Sequence, residues 1–154
     1  GGFFDYYKQL NYGFGTDGAA SSNTLNPVEQ ARLFGLMGKY QERNSAAYTA
    51  TEIWQHLMAS HQAFPFGSGR LKEGAPADLV IWDLYQPDTF PFYSPISAIL
   101  YSSNSQNVKY TMVAGEFLKY NGKLKIDTET LTQEAVRLQK ALLERGKGKA
   151  QVAY

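Results

Sequence analysis

Apolar and polar positions in the first half of the chain follow a helical period. Residues 27–40 carry apolar side chains at roughly helical spacing, with Asn26 as the cap and Pro27 at the first helical position, and so predict a helix. Residues 49–62 predict a second helix, because a Thr-x-x-Glu capping box precedes another apolar face. Both helices are therefore indicated by a local start signal as well as by their amphipathic pattern.

Shorter patterns on either side of these helices favour strands. Residues 12–16 are an aromatic run broken by glycines, which we interpret as one buried strand, and residues 17–24 form a loop of small polar residues. Beyond residue 70, strands are predicted at 77–82, 96–101, 108–113, 117–120 and 123–126. Asn121-Gly122 is a strong signal for a two-residue hairpin turn between the last two strands.

The chain closes with a third amphipathic pattern. Leucines and alanine recur at helical spacing, which predicts a last helix that Asp127 or Thr128 caps and that ends at Gly146. The remaining residues are expected to form a loosely held tail. The order of a strand, two helices, four or five strands and a helix indicates an α+β fold, and neither a complete barrel nor a doubly wound sheet.

Composition narrows the possible functions. The 154 residues include 15 Lys or Arg and 14 Asp or Glu, for a formal net charge of +1, which argues against a nucleic-acid partner. Cysteine is absent, which excludes a disulfide scaffold and a cysteine-based zinc site and favours a cytoplasmic location. No apolar run approaches the roughly 20 residues of a membrane span, so no membrane partner is expected. The chain begins with Gly1 rather than methionine, so we expect a processed product or a piece of a larger protein.

Asp17 is the residue whose position best suits catalysis. It follows the predicted strand of residues 12–16 and precedes a glycine, and barrel enzymes hold catalytic groups at the carboxyl ends of their strands. The same pattern also fits a structural aspartate in an Asx-turn. Ser21, Ser22 and Asn23 either line the same end of the barrel as Asp17 or serve as turn and cap residues.

The two histidines do not form a recognisable metal motif. His56 and His61 are five residues apart, so on a helix they point about 140° away from each other. The zinc-peptidase pattern needs two histidines four residues apart together with a glutamate. We therefore interpret both histidines as residues of the helix surface or the helix end.

Four segments resemble the amidohydrolase superfamily. Residues 15–23, with the sequence GTDGAASSN, are similar to the end of the last barrel strand in the branch that holds chlorohydrolases and methylthioadenosine/S-adenosylhomocysteine deaminases, and residues 26–32 resemble the next helix. Residues 69–83, GRLKEGAPADLVIWD, resemble the exit from the barrel, and residues 95–127 resemble the small β-domain that follows.

The resemblance implies a division of the chain. Residues 1–66 would be the C-terminal part of a (β/α)₈ barrel, residues 67–126 a small composite β-domain, and residues 127–154 the C-terminal helix and tail. The histidine ligands of the family would lie upstream of Gly1, in the missing N-terminal barrel portion. The fragment alone is then expected to be inactive and to bind no metal tightly, whereas the intact parent is expected to be a homo-oligomer.

The resemblance also implies a reaction. A divalent metal, Zn²⁺ or Fe²⁺, would activate a water that attacks a carbon of a heterocyclic ring and displaces ammonia or chloride. Asp17 would contact the metal and handle protons for that water. Ser21, Ser22 and Asn23 would bind the small-molecule heterocyclic substrate.

Two other functions remain open from the sequence. A cyclic-amide hydrolase resembling dihydropyrimidinase belongs to the same class, although the sequence around Asp17 argues against it. A non-catalytic binding or assembly module would only borrow the β-domain. A buried Asp17 whose carboxylate is satisfied by backbone N–H groups would favour the module.

Overall fold

The computed structural model describes residues 4–7, 9–62 and 69–146. The helices are α1 (Phe4–Tyr7), α2 (Ala19–Ser22), α3 (Pro27–Gln41), α4 (Ala50–Gln62), α5 (Pro95–Ser97), which continues into a π-helical segment (Ala98–Ser102), and α6 (Thr128–Gly146). The strands are β1 (Leu79–Trp82), β2 (Val108–Val113), β3 (Glu116–Tyr120) and β4 (Lys123–Leu124). The mixture of helices and one antiparallel sheet agrees with the predicted α+β class.

The chain divides into two compact units, residues 1–123 and residues 124–154. The division at residues 66 and 67 that the sequence suggests falls outside the described residues, and the three-part organisation stays a prediction. The predicted tail after residue 146 also lies outside them. Within the described part of the chain, no helix combines the length and apolarity needed to cross a membrane.

Both predicted central helices are confirmed together with their start signals. Asn26 caps α3, because its side-chain oxygen accepts hydrogen bonds from the backbone N–H groups of Val28 and Glu29 at 3.1 and 3.3 Å. At α4, the Glu52 N–H donates to the Thr49 hydroxyl at 3.3 Å, and the Thr49 N–H donates to the Glu52 carboxylate at 2.7 Å. This reciprocal pair is the capping box that the sequence predicts.

The core of the first unit lies where α3 and α4 meet the π-helical segment. Its fully or nearly buried members are Ala31, Tyr48, Ile53, Leu57 and Leu100. Small residues on α3 make this contact possible: a Cβ atom added at Gly35 would lie 2.5 Å from Cδ1 of Ile53. Because α3 presents glycine at this point, the two helices approach more closely than larger side chains would allow.

The sheet has the antiparallel order β1-β2-β3-β4. The predicted hairpin is confirmed: β3 ends at Tyr120, and both Asn121 and Gly122 adopt positive φ angles, of 46° and 79°, before β4 begins. Two consecutive positive φ angles define the turn that asparagine and glycine favour. The return strand is shorter than predicted and stops at Leu124.

The predicted strand at residues 96–101 is wrong, because these residues are helical in α5 and the π-helical segment. The Ser94 hydroxyl accepts a hydrogen bond from the Ser97 N–H at 3.3 Å, and Pro95 occupies the first helical position, so a capped helix begins here. A short apolar run fits a buried helix as well as a buried strand. Burial of Leu100, whose exposure is 0%, explains the apolar character without a strand.

The second unit consists mainly of α6, which confirms the predicted last helix. Asp127 is its cap, since one carboxylate oxygen accepts hydrogen bonds from the N–H groups of Glu129 and Thr130 at 3.1 and 3.0 Å. A hydrogen bond from the Thr130 hydroxyl, together with these two backbone bonds, lowers the pKa of Asp127. No side chain of this helix is buried.

Candidate functional site

The segment that leads to Asp17 is not the strand that the sequence predicts. Residues 11–18 contain no regular secondary structure, and the four strands of the described chain pair only with one another. Unpaired backbone groups need other partners when they are partly buried. Side chains of α4 supply these partners, as the contacts of Tyr12 and Phe14 demonstrate.

Ser60 binds the backbone of Phe14. The Phe14 N–H donates to the Ser60 hydroxyl oxygen at 2.7 Å. The same hydroxyl lies 3.2 Å from the Phe14 carbonyl oxygen and 3.3 Å from the His56 carbonyl oxygen, so it can donate its proton to either. One serine hydroxyl is therefore within hydrogen-bond distance of both the N–H and the carbonyl oxygen of Phe14.

His56 holds the same segment one helical turn earlier. Its ring stacks on the Tyr12 ring with the centroids 3.8 Å apart and an interplanar angle of 9°, and its Nδ1 lies 3.0 Å from the Tyr12 carbonyl oxygen. Because a carbonyl oxygen only accepts, Nδ1 carries the proton in this contact. Burial, assisted by the negative charge of Glu52, raises the pKa of Tyr12 to about 12.

The two histidines have different environments. His61 is exposed near the end of α4, as the sequence leads us to expect. His56 is half-buried against Tyr12, so it is more than a residue of the helix surface. Their contacts give no sign of a shared ligand.

Asp17 is exposed to solvent immediately after this anchored segment. Its φ angle is 56°, in the left-handed region that few residues other than glycine, asparagine and aspartate adopt. One carboxylate oxygen accepts a hydrogen bond from the Gly18 N–H at 2.7 Å. Asp17 is therefore not the buried aspartate expected for a non-catalytic module, although a backbone N–H group binds one of its carboxylate oxygens.

The loop predicted at residues 17–24 contains one helical turn, α2, which corrects the sequence interpretation. Ser21 is exposed within this turn, and the Ser22 hydroxyl donates to the Thr24 carbonyl oxygen at 2.5 Å. Asn23 is exposed and ends the turn with a φ angle of 58°. All three residues lie within six positions of Asp17, but their role in binding a substrate stays a prediction.

The described residues do not fit a metal centre by themselves. In residues 4–7, 9–62 and 69–146, no three His, Cys, Asp or Glu side chains come together in a group that could hold a metal ion. Structural and catalytic zinc sites take three or four protein ligands. Asp17 could contribute at most one carboxylate to such a site.

The family of the chain follows from its match to known sequences. Residues 7–118 match the model of the amidohydrolase family, which is well over half of the chain. The chain belongs to the amidohydrolase family. The match covers the anchored segment, Asp17, both central helices, strands β1 and β2, and the first part of β3.

Two of the proteins that the chain resembles are deaminases. A 5-methylthioadenosine/S-adenosylhomocysteine deaminase of Caldicellulosiruptor saccharolyticus is 38% identical over 138 residues, which cover 88% of the chain and 32% of the relative. An adenosine deaminase of Xanthomonas campestris with bound zinc superposes with a TM-score of 0.82 at 25% identity, covering 90% of the chain and 33% of that protein. The chain thus spans about a third of the length of the relatives that it matches.

A chlorohydrolase shares the fold. The atrazine chlorohydrolase of Arthrobacter aurescens, solved in complex with zinc, superposes with a TM-score of 0.77 at 24% identity over 89% of the chain and 32% of its own length. The similarity to this enzyme concerns the backbone arrangement. The described elements therefore have a backbone arrangement that both the deaminase and the chlorohydrolase share.

Sequence reasoning missed the contribution of α4 to the site. The first glycine of the aromatic run, Gly13, and the spacing of four between His56 and Ser60 were the available signals. Residues four apart share one helix face, and glycine permits a close backbone approach. Neither signal could reveal which of the many helix faces the segment would contact.

Proposed function

We propose that the whole protein to which this chain belongs is a hydrolase that removes an amino group from a heterocyclic ring. The observation that carries the proposal is the open carboxylate of Asp17, presented directly after a segment that α4 holds in place. The deaminase relative at 38% identity supports the reaction. The rest of the active site would come from parts of the whole protein beyond the described residues.

Asp17 would act as the proton carrier of this reaction. A carboxylate beside the attacking water accepts one of its protons as the oxygen bonds to the ring carbon, and returns a proton to the departing nitrogen, which leaves as ammonia. Only one carboxylate oxygen of Asp17 bonds to Gly18, so lone pairs remain for a water. Membership of the family supports a divalent metal in the whole protein, for which we propose zinc rather than iron.

The surroundings of Asp17 suggest how a substrate is held. Ser21 and Asn23 are exposed on the turn that follows, and their polar side chains suit the nitrogen and oxygen atoms of a small heterocycle. Ser22 is already engaged with Thr24 and would need to release that bond. Assembly into a homo-oligomer and a cytoplasmic location complete the proposal.

Dechlorination is the second candidate. Residues 15–23 resemble a branch that holds chlorohydrolases as well as deaminases, and the same proton-carrying carboxylate would serve a water that displaces chloride. The solved chlorohydrolase adds a common fold and no more, whereas the deaminase relative is closer in sequence. For this reason we favour deamination.

The experiment compares Asp17→Asn with the unaltered enzyme in the full-length protein. Ammonia release from aminopurine nucleosides and chloride release from chlorotriazines are measured side by side. Asparagine keeps the shape but cannot accept the proton, so kcat should fall by roughly 10²- to 10⁴-fold. Glu73→Gln, which neutralises an exposed carboxylate elsewhere, is the matched control and should leave kcat unchanged.

The isolated 154-residue chain provides a second test. It should release neither ammonia nor chloride, since one carboxylate cannot replace a site built from several ligands. Full activity of the Asp17→Asn enzyme would refute the role of Asp17. An unaltered full-length protein without hydrolase activity on either substrate class would instead favour the binding module.

A further inference from the structure

We propose that Ser60 is a positioning residue for Asp17. It would act by fixing the backbone of Phe14 against α4, so that the carboxylate three residues later occupies one position rather than many. The inference rests on the proposed function of Asp17. It concerns a residue that touches neither the carboxylate nor a substrate, and it follows from four features of the described contacts.

The first feature is the close approach between the segment and the helix. A Cβ atom added at Gly13 would clash with the Ser60 hydroxyl oxygen and would lie 2.9 Å from the Ser60 Cα atom. Heavy atoms do not approach so closely, so only glycine fits here without a shift of the backbone. The segment is therefore seated directly on α4 at the level of Ser60.

The second feature is the number of bonds that Ser60 satisfies. Its hydroxyl accepts from the Phe14 N–H at 2.7 Å and lies within 3.2 Å of the Phe14 carbonyl oxygen. In a barrel strand these groups would pair with a neighbouring strand. Within the described residues, Ser60 is the group that contacts both the N–H and the carbonyl oxygen of Phe14.

The third feature is the geometry of the two anchors. His56 and Ser60 are four residues apart on α4 and so lie on one face of the helix. They hold Tyr12 and Phe14, which are two residues apart in the segment. Two contacts of this kind fix the direction of the segment as well as its position.

The fourth feature is the freedom of the chain beyond Phe14. Among the described residues, the hydrogen bonds of Thr16 and Asp17 are local, to Asp17 and Gly18. A Cβ atom at Gly15 would meet nothing within 4 Å, and the turn after Asp17, α2, contains no buried residue. Within this part of the chain, the Ser60 bond is thus the last tether before the carboxylate.

The first measurement tests the tether without any activity. Amide hydrogen exchange of Phe14 is followed in the full-length protein for the unaltered form, Ser60→Ala and Ser60→Thr. Loss of the hydrogen bond should accelerate exchange of this amide at least about fivefold in the alanine variant. The threonine variant keeps a hydroxyl and should restore protection. Gln55→Ala, on an exposed position of the same helix, is the control and should change nothing.

The second measurement tests the link to Asp17 in the full-length enzyme. Misplacement of a reacting group by a fraction of an ångström to an ångström lowers rate more than binding, so Ser60→Ala should reduce kcat by about 10- to 100-fold with KM nearly unchanged. Ser60→Thr should recover most of kcat. In the Asp17→Asn background, Ser60→Ala should cause little further loss, because a residue that works through Asp17 has nothing left to position.

Each outcome bears on a separate claim. Unchanged Phe14 exchange in Ser60→Ala would overturn the positioning role, and so would a loss of kcat from Ser60→Ala that is as large in the Asp17→Asn background as in the unaltered enzyme. Accelerated exchange together with a full-length protein that has no hydrolase activity would count against the proposed function, while the tether itself stands. Unchanged thermal unfolding of the alanine variant separates local release from loss of the fold.

Discussion

The guanidinium group of Arg32 donates a hydrogen bond from Nε to the Leu100 carbonyl oxygen at 2.6 Å. Its Nη2 donates to the Ser103 carbonyl oxygen at 2.5 Å. Carbonyl groups at a helix end have no partner within the helix, and a cation there is favourable. One side chain of α3 thus closes the end of the π-helical segment, which lies some 70 residues further along the chain.

Arg32→Ala should destabilise the protein substantially. The change leaves two carbonyl oxygens unpaired beside the buried Leu100, and we expect the free energy of unfolding to fall by about 2–3 kcal/mol. The free energy of unfolding of Arg32→Lys should lie between those of the unaltered protein and Arg32→Ala. One ammonium group cannot donate to both carbonyl oxygens in the fixed geometry of a guanidinium group. Urea denaturation measures both. Arg137→Ala, which removes an exposed arginine paired with Glu134 on α6, should have no measurable effect.

The capping box of α4 should make stability depend on pH. Hydrogen bonds from the hydroxyl and the N–H of Thr49 lower the pKa of Glu52 below its ordinary value of 4.5, and the positive charges of Lys39 and His56 add to this. A carboxyl group whose pKa is lowered on folding contributes stability above the pKa of the unfolded chain, and this contribution is lost as the pH falls through the folded value.

Thermal unfolding of Glu52→Gln between about pH 7 and pH 2.5 tests this expectation. Glutamine keeps the cap geometry but has no charge, so its melting temperature should be lower than that of the unaltered protein at about pH 7, and the gap should close as Glu52 becomes protonated. Glu116→Gln, at the start of β3, is the control for a carboxylate that caps no helix. A constant gap over the whole range would contradict the lowered pKa of Glu52.

Gly35→Ala should destabilise the helix contact. The new Cβ atom would lie 2.5 Å from Cδ1 of Ile53 and 2.8 Å from the hydroxyl oxygen of Tyr101, and Ile53 is too buried to move freely. Alanine favours a helix over glycine by about 1 kcal/mol, but overpacking costs about 1–3 kcal/mol, so the net change should lower the melting temperature. Gly15→Ala has open space around its Cβ and should leave the melting temperature nearly unchanged. Equal melting temperatures for the two variants would show that α3 can shift at no cost.

Elements with a complete local signal could be predicted from the sequence. The cap at Asn26, the box formed by Thr49 and Glu52, and the Asn121-Gly122 turn each depend on residues within a few positions of one another, and all are present in the structure. Their energies come from short-range hydrogen bonds and allowed backbone angles, which the neighbouring residues decide. The role of Asp17, which the sequence suggests from its place between the aromatic run and a glycine, stays a prediction.

Tertiary contacts decided the structure of the segments that local patterns did not predict. Residues 96–101 are apolar because Leu100 is buried, and their helical form depends on Ser94 and on the carbonyl contacts of Arg32. Residues 12–16 have the composition of a buried strand, yet the pattern carries no information on which partner will satisfy the backbone. That partner is Ser60, 46 residues away from Phe14. The sequence by itself determined where helices and turns begin, because those signals are local, whereas the contacts of Tyr12 and Phe14 with α4 exist only once that helix has folded against the segment before Asp17.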